Sequence, residues 1–261
     1  MKNFILQKIG LFFASLLLFS SCLEEGRNFQ SGHTFGIVRF DFMSGKNLLD
    51  VSEIESFYHI RFQDTYDGNC FFVYYEIDFD APENSYESIE ANGYITVDHI
   101  DKMDVDRWPL SSNPFASDTT KAMMDEVVIN DPVSDGNIVY FKGLMFVISE
   151  LKMPADQTLY WHLTYDRDNS YTEQNGQIFV NLILRAAINR PGTKSSDNVG
   201  IANAFEMNHF FTDFATKVKE SGSKTFKIRF YYPTEISEEG QMKWDFKNTN
   251  DIPYEWFISS E

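Results

Sequence analysis

From residue 35 onward, apolar and polar residues alternate at every second position, which is the pattern of β-strands. In the first half, the runs FGIVRFDF from Phe35 and CFFVYYEIDFD from Cys70 are rich in aromatic and β-branched residues, which favour strands. The run FYHIRF alternates in the same way, so residues 57–62 are predicted to form one strand. Strands at this spacing, with no helical pattern between them, predict a small barrel of the oligonucleotide/oligosaccharide-binding (OB) type over residues 35–104.

The second half continues the alternation with longer runs, and residues 137–261 are predicted to form an antiparallel β-sandwich. The run NIVYFKGLMFVISELK is predicted to be a single strand bent at Gly143, because a glycine inside a strand often marks a bulge. One short helix is expected, with Thr212 as its N-cap and Gly222 at its end. Residues 105–136, rich in proline and serine, are predicted to be an irregular connection. The predicted fold class is therefore all-β.

The N-terminus has the layout of a secretory signal over residues 1–21: two lysines, an apolar stretch and two small serines. The apolar stretch is shorter than the roughly 20 residues that a transmembrane helix needs. A cysteine directly after small residues resembles the bacterial lipobox, so Cys22 is expected to carry the lipid anchor. Residues 22–34 would then be the lipidated cysteine and a flexible tether, and no other apolar run is long enough to span a membrane.

The acidic pair Glu24 and Glu25 follows the expected lipidation site. This placement resembles the surface-export signal of Bacteroidetes lipoproteins, while a merely solvated tether is the simpler reading. The protein is therefore expected to be lipid-anchored in the outer membrane. The cell surface is the favoured side, and a periplasm-facing position is the alternative.

The charge balance narrows the classes of partner. The chain has 39 acidic and 22 basic residues, which give a formal net charge of −17. Such a surface repels the phosphate backbone, so nucleic acid is not expected as a partner. Acidic surfaces mainly keep proteins soluble, and attraction of a cationic partner is the sharper alternative.

Motifs of known catalytic centres are missing from the sequence. It contains no G-x-S-x-G, H-E-x-x-H or phosphate-loop pattern, so no catalytic residue and no cofactor are expected. No histidine has a second histidine or cysteine at ligand spacing, and no metal site is expected. Cys70 opens an apolar run and is expected to be buried. Calcium binding or carboxylate-based hydrolysis has weak support from close acidic groups, which are Asp78/Asp80, Asp98/Asp101/Asp104/Asp106 and Glu235/Glu238/Glu239.

Aromatic side chains are the remaining signal for ligand binding. Trp161 and Trp244 lie in predicted strands and are expected to pack in the core. Trp108 lies in the predicted connection, so it is the candidate ligand contact. The alternative is that Trp108 wedges between the two predicted domains.

The order of these segments resembles the NigD-like lipoproteins of Bacteroidetes. A lipoprotein signal precedes FFVYYEIDF and GYITVDHID, and then come INDPVSDGNIVYFKGLMFVI, IFVNLILRAAIN and FFTDFATKVKESGSKTFKIRFYY. The resemblance covers most of the mature chain, and it implies an N-terminal OB-type barrel, a C-terminal β-sandwich and no defining catalytic residues. The family name derives from a bacteriocin locus, which implies an immunity or accessory role.

The expected function is that of a non-enzymatic lipoprotein with a binding or accessory role at the cell envelope, with bacteriocin immunity as one form of it. A glycan-binding surface lipoprotein is the alternative, and a hydrolase that uses a carboxylate pair is a weaker one. The expected partners are the membrane, through the N-terminal lipid, and a peptide or glycan ligand.

Overall fold

The computed structural model of the protein describes residues 28–112, 119–207 and 210–257. The expected signal segment, Cys22, Glu24 and Glu25 lie outside the described residues. The strands are β1 Phe29–Asp41, β2 Lys46–Asp50, β3 Ser56–Tyr58, β4 Cys70–Asp78, β5 Ile95–Thr96, β6 His99–Ser111, β7 Val139–Phe141, β8 Leu144–Pro154, β9 Thr158–Thr164, β10 Tyr171–Gln174, β11 Gln177–Arg190, β12 Ser196–Glu206, β13 Thr225–Ile236, β14 Met242–Asn248 and β15 Ile252–Pro253. The helices are α1 Tyr86–Asn92 and α2 Phe210–Glu220, and 3-10 turns cover Ile60–Phe62, Pro82–Asn84, Ser134–Gly136 and Tyr254–Trp256. The prediction of an all-β fold is confirmed.

The chain divides into two compact units, and three strands contribute residues to both. The first unit comprises Met1–Thr34, Val38–Asp67 and Val73–Lys102, and the second comprises Phe35–Ile37, Gly68–Phe72 and Met103–Glu261. Strands β1, β4 and β6 are the ones that are shared between the units.

Short strands build the first unit around a small apolar core. Strand β1 lies between β4 and β2, β2 pairs antiparallel with β3, and β3 pairs parallel with β5. The alternation of the sequence turns one side of each strand inward, which is why Val38, Leu49, Phe57, Val73 and Ile95 are buried.

The FYHIRF run, residues 57–62, does not form the single strand that was predicted. Strand β3 ends at Tyr58, and a 3-10 turn covers Ile60–Phe62. The ring Nδ1 of His59 accepts a hydrogen bond from the backbone N–H of Arg61 at 3.1 Å, which caps the turn. Phe62 still reaches the core, where it is fully buried. The strand prediction for residues 59–62 is therefore wrong because a local side-chain bond competes with the ladder.

The first unit contains a helix that the alternation did not predict. Ser85 accepts a bond from the backbone N–H of Ser88 at 3.3 Å, and Gly93 ends α1 with a positive φ of 74°. The buried side chain of Asn84 bonds both ways with the backbone of Thr96 and donates to the carbonyl of Asp78. The helix is thereby fixed through its entry turn, although it buries no residue of its own.

The second unit contains two ladders whose side chains share one core. Strands β8 and β12 pair antiparallel along the length of β12, while β11 pairs antiparallel with β9 and parallel with β13. Their inward residues meet in one large cluster, to which β8 contributes Val147, β9 contributes Trp161 and β11 contributes Leu182. Two ladders that share a core are the arrangement of a β-sandwich. The prediction of an antiparallel sandwich is wrong in one respect, because β11 and β13 pair parallel and all the described strands belong to one continuous hydrogen-bonded sheet. The burial of Trp161 confirms its prediction as a core residue. The same prediction for Trp244 is wrong, because Trp244 is only half-buried and its Nε1 donates to the carbonyl oxygen of Thr119 at 2.9 Å.

The predicted irregular connection begins later than the sequence indicated. Strand β6 runs to Ser111 and pairs parallel with β12, with Pro109 opposite Glu206. Glu206 is the last residue of β12, and a proline without an N–H is tolerated at the end of a ladder. Trp108 therefore lies on a strand, not in an irregular segment.

The bend expected at Gly143 is a hairpin turn. Lys142 and Gly143 both have positive φ, 50° and 75°, and they join β7 to β8 with Phe141 opposite Leu144. Two consecutive residues with positive φ are typical of a type I′ turn, which glycine adopts without strain. The single bent strand predicted there is therefore two strands.

Helix α2 confirms the predicted helix, although it begins two residues before the expected cap. It covers Phe210–Glu220, and the turn after it has Gly222 at a positive φ of 79°. One face is apolar, and Phe211, Ala215 and Val218 are completely buried in the large core. The period-3.6 pattern thus predicted both the helix and its buried face.

A buried ion pair ties an irregular segment to the second unit. Arg185 of β11 donates through Nε and Nη2 to the two carboxylate oxygens of Glu126, at 2.7 and 2.6 Å. The exposed fractions of the two side chains are 1% and 0%. Arg185 also donates to the carbonyl oxygen of Lys121 at 2.9 Å, so the segment around 121–126 is held against β11.

Candidate ligand-binding site

An open cleft beside Trp108 is the first candidate site, and it lies within the second unit. Its volume is about 530 Å³. It is lined by Asp106, Arg107, Trp108, Thr158, Leu159, Asn189 and Arg190. The lining combines an aromatic ring with a carboxylate, an amide, a hydroxyl and two guanidinium groups, so it can both pack against a ligand and form hydrogen bonds.

The indole of Trp108 is held in a defined orientation. Its Nε1 donates to Oδ1 of the buried Asn203 at 3.1 Å, on the neighbouring strand β12. Tyr160 of β9 meets it edge to face, with ring centroids 6.1 Å apart and an interplanar angle of 86°. Tyr160 is 50% exposed, whereas Trp108 is half-buried and also packs against the large core. The two rings form a rigid aromatic wall with one solvent-facing member.

Charge at the cleft is partly paired. Arg107 donates from Nη2 to Oε1 of Glu206 at 2.8 Å and from Nη1 to the carbonyl oxygen of Gly68 at 3.1 Å. Both side chains of this ion pair are more than one third exposed, so solvent screens it. The pair fixes the guanidinium at the cleft wall while the neighbouring Asp106 remains exposed.

Asp156 joins the two chain segments that bring residues to the cleft. Its carboxylate accepts bonds from the backbone N–H groups of Thr193 and Lys194, at 3.0 to 3.1 Å, and from the Thr193 hydroxyl at 2.7 Å. Gly192 is required at the same place, because a Cβ there would overlap the ring of Pro154. Thr158 and Leu159 follow one of these segments and Asn189 and Arg190 precede the other, so this contact positions the cleft residues.

Asp156 is expected to titrate well below an ordinary aspartate. The bonds from the Thr193 hydroxyl and the two backbone N–H groups favour the charged form, so they lower its pKa. The contact therefore stabilises the fold fully above the ordinary aspartate pKa of about 4, and that stabilisation is lost as pH falls through the depressed value. A carboxyl ¹³C NMR titration measures this, with Asp156→Asn to assign the resonance. A midpoint at the ordinary aspartate value would contradict it.

A second cleft, of about 370 Å³, lies in the first unit. It is lined by Ser31, Gly32, His33, Tyr74, Tyr75, Glu76, His99 and Asp101. His99 Nε2 lies 3.4 Å from a carboxylate oxygen of Asp101, which also pairs with Arg61 at 3.3 Å. His33 and His99 are thus brought to one cleft although they are far apart in the sequence. Within the described residues, no three metal-ligating side chains group closely enough to hold a metal ion.

The acidic groups singled out in the sequence mostly have structural contacts. Asp78 accepts from the backbone N–H of Asp80 at 2.9 Å, and Asp98 accepts from the backbone N–H of Asp78 at 2.6 Å. Glu235 pairs with Lys243 at 2.9 Å on the surface. These carboxylates hold turns and ion pairs, which accounts for their presence without catalysis.

The structure places Trp108 at a cleft, and its role as a ligand contact stays a prediction; the companions of Trp108 were not foreseen. Tyr160 alternates with the buried Leu159 and Trp161, so its outward orientation was available from the period-two pattern. Asn189 and Arg190 carry no such signal, because only the pairing of β11 with β9 brings them near. Cys70 is 3% exposed, as predicted, and burial raises the pKa of its thiol to about 11.

Comparison with known protein families identifies the first part of the chain. Residues 26–103 match the family described as "Lipoprotein OB domain". This part of the chain is therefore similar to the OB domains of lipoproteins. The match confirms the prediction of an OB-type fold in the N-terminal part of the chain and the resemblance to a lipoprotein family of Bacteroidetes, while the predicted bounds 35–104 stay a prediction. The lipoprotein OB domain contains the cleft of His33 and His99, whereas Trp108 follows it in the sequence.

Solved structures share the fold. An uncharacterized protein from Parabacteroides merdae superimposes with a TM-score of 0.69 at 17% identity, covering 85% of this chain and 99% of that one. A candidate lipoprotein from Bacteroides fragilis superimposes with a TM-score of 0.54 at 10% identity, and the match covers 89% of this chain and 100% of that one. A NigD-like immunity protein from Bacteroides caccae has a TM-score of 0.44 at 14% identity, and the match covers 82% of this chain and 91% of that one. No curated protein matches the chain significantly. At these identities, the first two likenesses show the fold.

The described helices have no membrane-spanning character: none of them is both long enough and apolar enough to cross a bilayer.

Proposed function

We propose that the protein is a non-enzymatic lipoprotein of the outer membrane that binds a saccharide in the cleft beside Trp108. The lipoprotein OB domain at residues 26–103 supports the envelope role, and the sequence around Cys22 supports the lipid anchor. Glu24 and Glu25 support export of the folded part to the cell surface. In this proposal the anchor keeps the protein at the membrane, and the cleft supplies the specificity.

The ring of Trp108, held in place by Tyr160 and set beside polar groups of the cleft, is the observation that carries saccharide binding. A sugar ring has apolar C–H faces, which pack against an aromatic side chain, and a rim of hydroxyl groups that donate and accept hydrogen bonds. Asp106 can accept such bonds, Arg190 can donate them, and Asn189 can do both. A peptide would use these groups less completely, because its backbone presents fewer donors and acceptors per unit of area.

The Trp108→Ala variant is expected to lose saccharide binding by about ten-fold or more, since it removes the aromatic wall of the cleft. Glycan-array screening of the full-length protein identifies the ligand, and calorimetry then compares the variant with the original. Trp256→Ala is the matched control, because Trp256 is 53% exposed and does not line the cleft. Absence of binding to every glycan, or equal losses for both variants, would contradict the proposal.

The acidic charge of the protein favours bacteriocin immunity as a second candidate. A net charge of −17 attracts cationic peptides electrostatically, and many toxic peptides that act on membranes are cationic. Deletion of the gene in the producing organism would then increase killing by that peptide. Unchanged sensitivity would exclude immunity and leave saccharide binding unaffected, so the two functions can be separated.

A further inference from the structure

The outer face of the C-terminal sheet carries a second buried arginine, Arg229. Only 6% of Arg229 is exposed. The core residues Val180 and Ile228 alternate with Asn181 and Arg229 along β11 and β13, so the latter two point away from the large core. Partner residues in these ladders share a face. The Arg229 face therefore comprises Thr172, Gln174, Gln177, Phe179, Asn181, Ile183, Lys227, Arg229, Tyr231, Phe246 and Asn248.

Two aromatic rings hold the guanidinium of Arg229. Its Cζ lies 4.1 Å from the ring centroid of Phe179 and 4.8 Å from that of Phe246. A planar guanidinium stacks well between such rings, and this fixes its orientation. Phe246 is 48% exposed, so one wall of the stack is open to solvent.

The charge of Arg229 has no acidic partner in the described part of the chain. Its Nε donates to Oδ1 of Asn248 at 3.1 Å, and its Nη2 donates to Oε1 of Gln174 at 3.2 Å. Both acceptors are neutral amides, and no carboxylate of the described residues pairs with this guanidinium. The contrast with Arg185 is direct, because the same two nitrogen positions of Arg185 bind the carboxylate of Glu126. A buried cation is normally paired, and this chain has an excess of acidic residues with which to pair it.

The remaining nitrogen of Arg229 is open to a ligand. Nη1 donates to none of the described residues, and it reaches solvent. Two atoms on the same face, Oγ1 of Thr172 and Oδ1 of Asn181, are buried without a hydrogen-bond partner. The Arg229 face thus combines an uncompensated cation, an exposed phenyl ring and two oxygen atoms that can accept hydrogen bonds.

We propose that the Arg229 face is a binding site for a carboxylate-bearing ligand, with the carboxylate on Nη1 of Arg229. A carboxylate supplies the charge that the buried guanidinium lacks, and charge-assisted hydrogen bonds of this kind are among the strongest in proteins. The apolar face of a sugar ring can pack against the exposed ring of Phe246, which favours an acidic sugar. This site is separate from the Trp108 cleft, and neither proposal depends on the other.

Titration of the ¹⁵N-labelled full-length protein in detergent with glucuronate tests this site. We expect a saturable change of the Arg229 Nε–Hε NMR signal with glucuronate and none with glucose, which has the same ring without the carboxylate. A parallel titration with inorganic phosphate tests whether the site prefers a carboxylate over another anion. Binding of phosphate without glucuronate, or an unchanged signal up to roughly tens of millimolar glucuronate, would overturn the carboxylate assignment.

The Arg229→Gln variant is expected to weaken glucuronate binding by about ten-fold or more, because it removes the charged donor. Arg229→Lys keeps the charge but loses the planar stack, so it should restore part of the affinity at most. Lys227→Gln is the matched control, since it removes an equal charge from the same face. An equal loss in Lys227→Gln would indicate unspecific attraction and overturn the proposal. Thermal unfolding of each variant identifies any that fail to fold, and the titration of the original protein stands independently of them.

Discussion

The Glu126→Gln variant is expected to lose about 3–5 kcal/mol of unfolding free energy, because it leaves Arg185 as a buried cation without its counter-charge. Glu126 is completely buried and accepts from two nitrogen atoms of Arg185. It also accepts from the backbone N–H of Met123 at 2.7 Å. The amide of glutamine can accept at one position only and presents an N–H group to the guanidinium at the other. Chemical denaturation measures the loss.

Glu235→Gln is the control for this variant, because it makes the same substitution in a surface ion pair. Glu235 and Lys243 are 69% and 67% exposed, and pairs of that kind contribute between zero and about 1 kcal/mol. A small effect in Glu235→Gln beside a large one in Glu126→Gln would assign the loss to burial. Similar small effects in both variants would contradict the structural role of the buried pair.

The same ion pair shows what the sequence could and could not predict. Arg185 is recognisable as a charge within the most apolar strand run of the mature chain, LILRAAIN, and such a charge needs a partner. Nothing near it in sequence identifies Glu126, which lies 59 residues away in a segment without regular structure. Local patterning thus predicts where a constraint exists, while its partner depends on the tertiary fold.

The sequence pattern predicted the strands themselves better than the residues at which they begin and end. The period-two pattern predicted the β class because inward and outward side chains alternate in every half-buried strand. It could not separate β7 from β8, because the turn that joins them consists of Lys142 and Gly143 and interrupts the apolar run very little. It also began the irregular connection at residue 105, whereas β6 continues to Ser111 and tolerates Pro109, whose missing N–H is harmless at that position of the ladder.

The candidate cleft contains one residue that the sequence singled out. Trp108 was singled out because it lies outside the predicted apolar alternation. The polar residues across the cleft from it come from β9 and β11, which are distant in the sequence. Arg229 was not singled out at all, since an arginine in KIRFYY reads as the solvated side of a strand. Its lack of an acidic partner becomes visible only when four strands are placed side by side.

The Cys22→Ser variant is expected to leave the membrane fraction completely and to incorporate no palmitate. In the proposed anchor, the acyl chains are attached at Cys22, and each buried CH₂ group contributes about 0.8 kcal/mol to membrane binding. A serine cannot form the thioether, so every chain is lost with one substitution. Membrane fractionation and labelling with radioactive palmitate measure the two effects.

Cys70→Ala is the matched control for the anchor, because it removes the second of the two cysteines of the chain. Cys70 is 3% exposed and burial raises its pKa, so its thiol is protected from modification. This variant should therefore remain in the membrane fraction and keep its palmitate label. Retention of label in Cys22→Ser, or its loss in Cys70→Ala, would place the lipid elsewhere. In either case the saccharide and carboxylate sites would stand, because the residues that form them lie on folded strands and do not include Cys22.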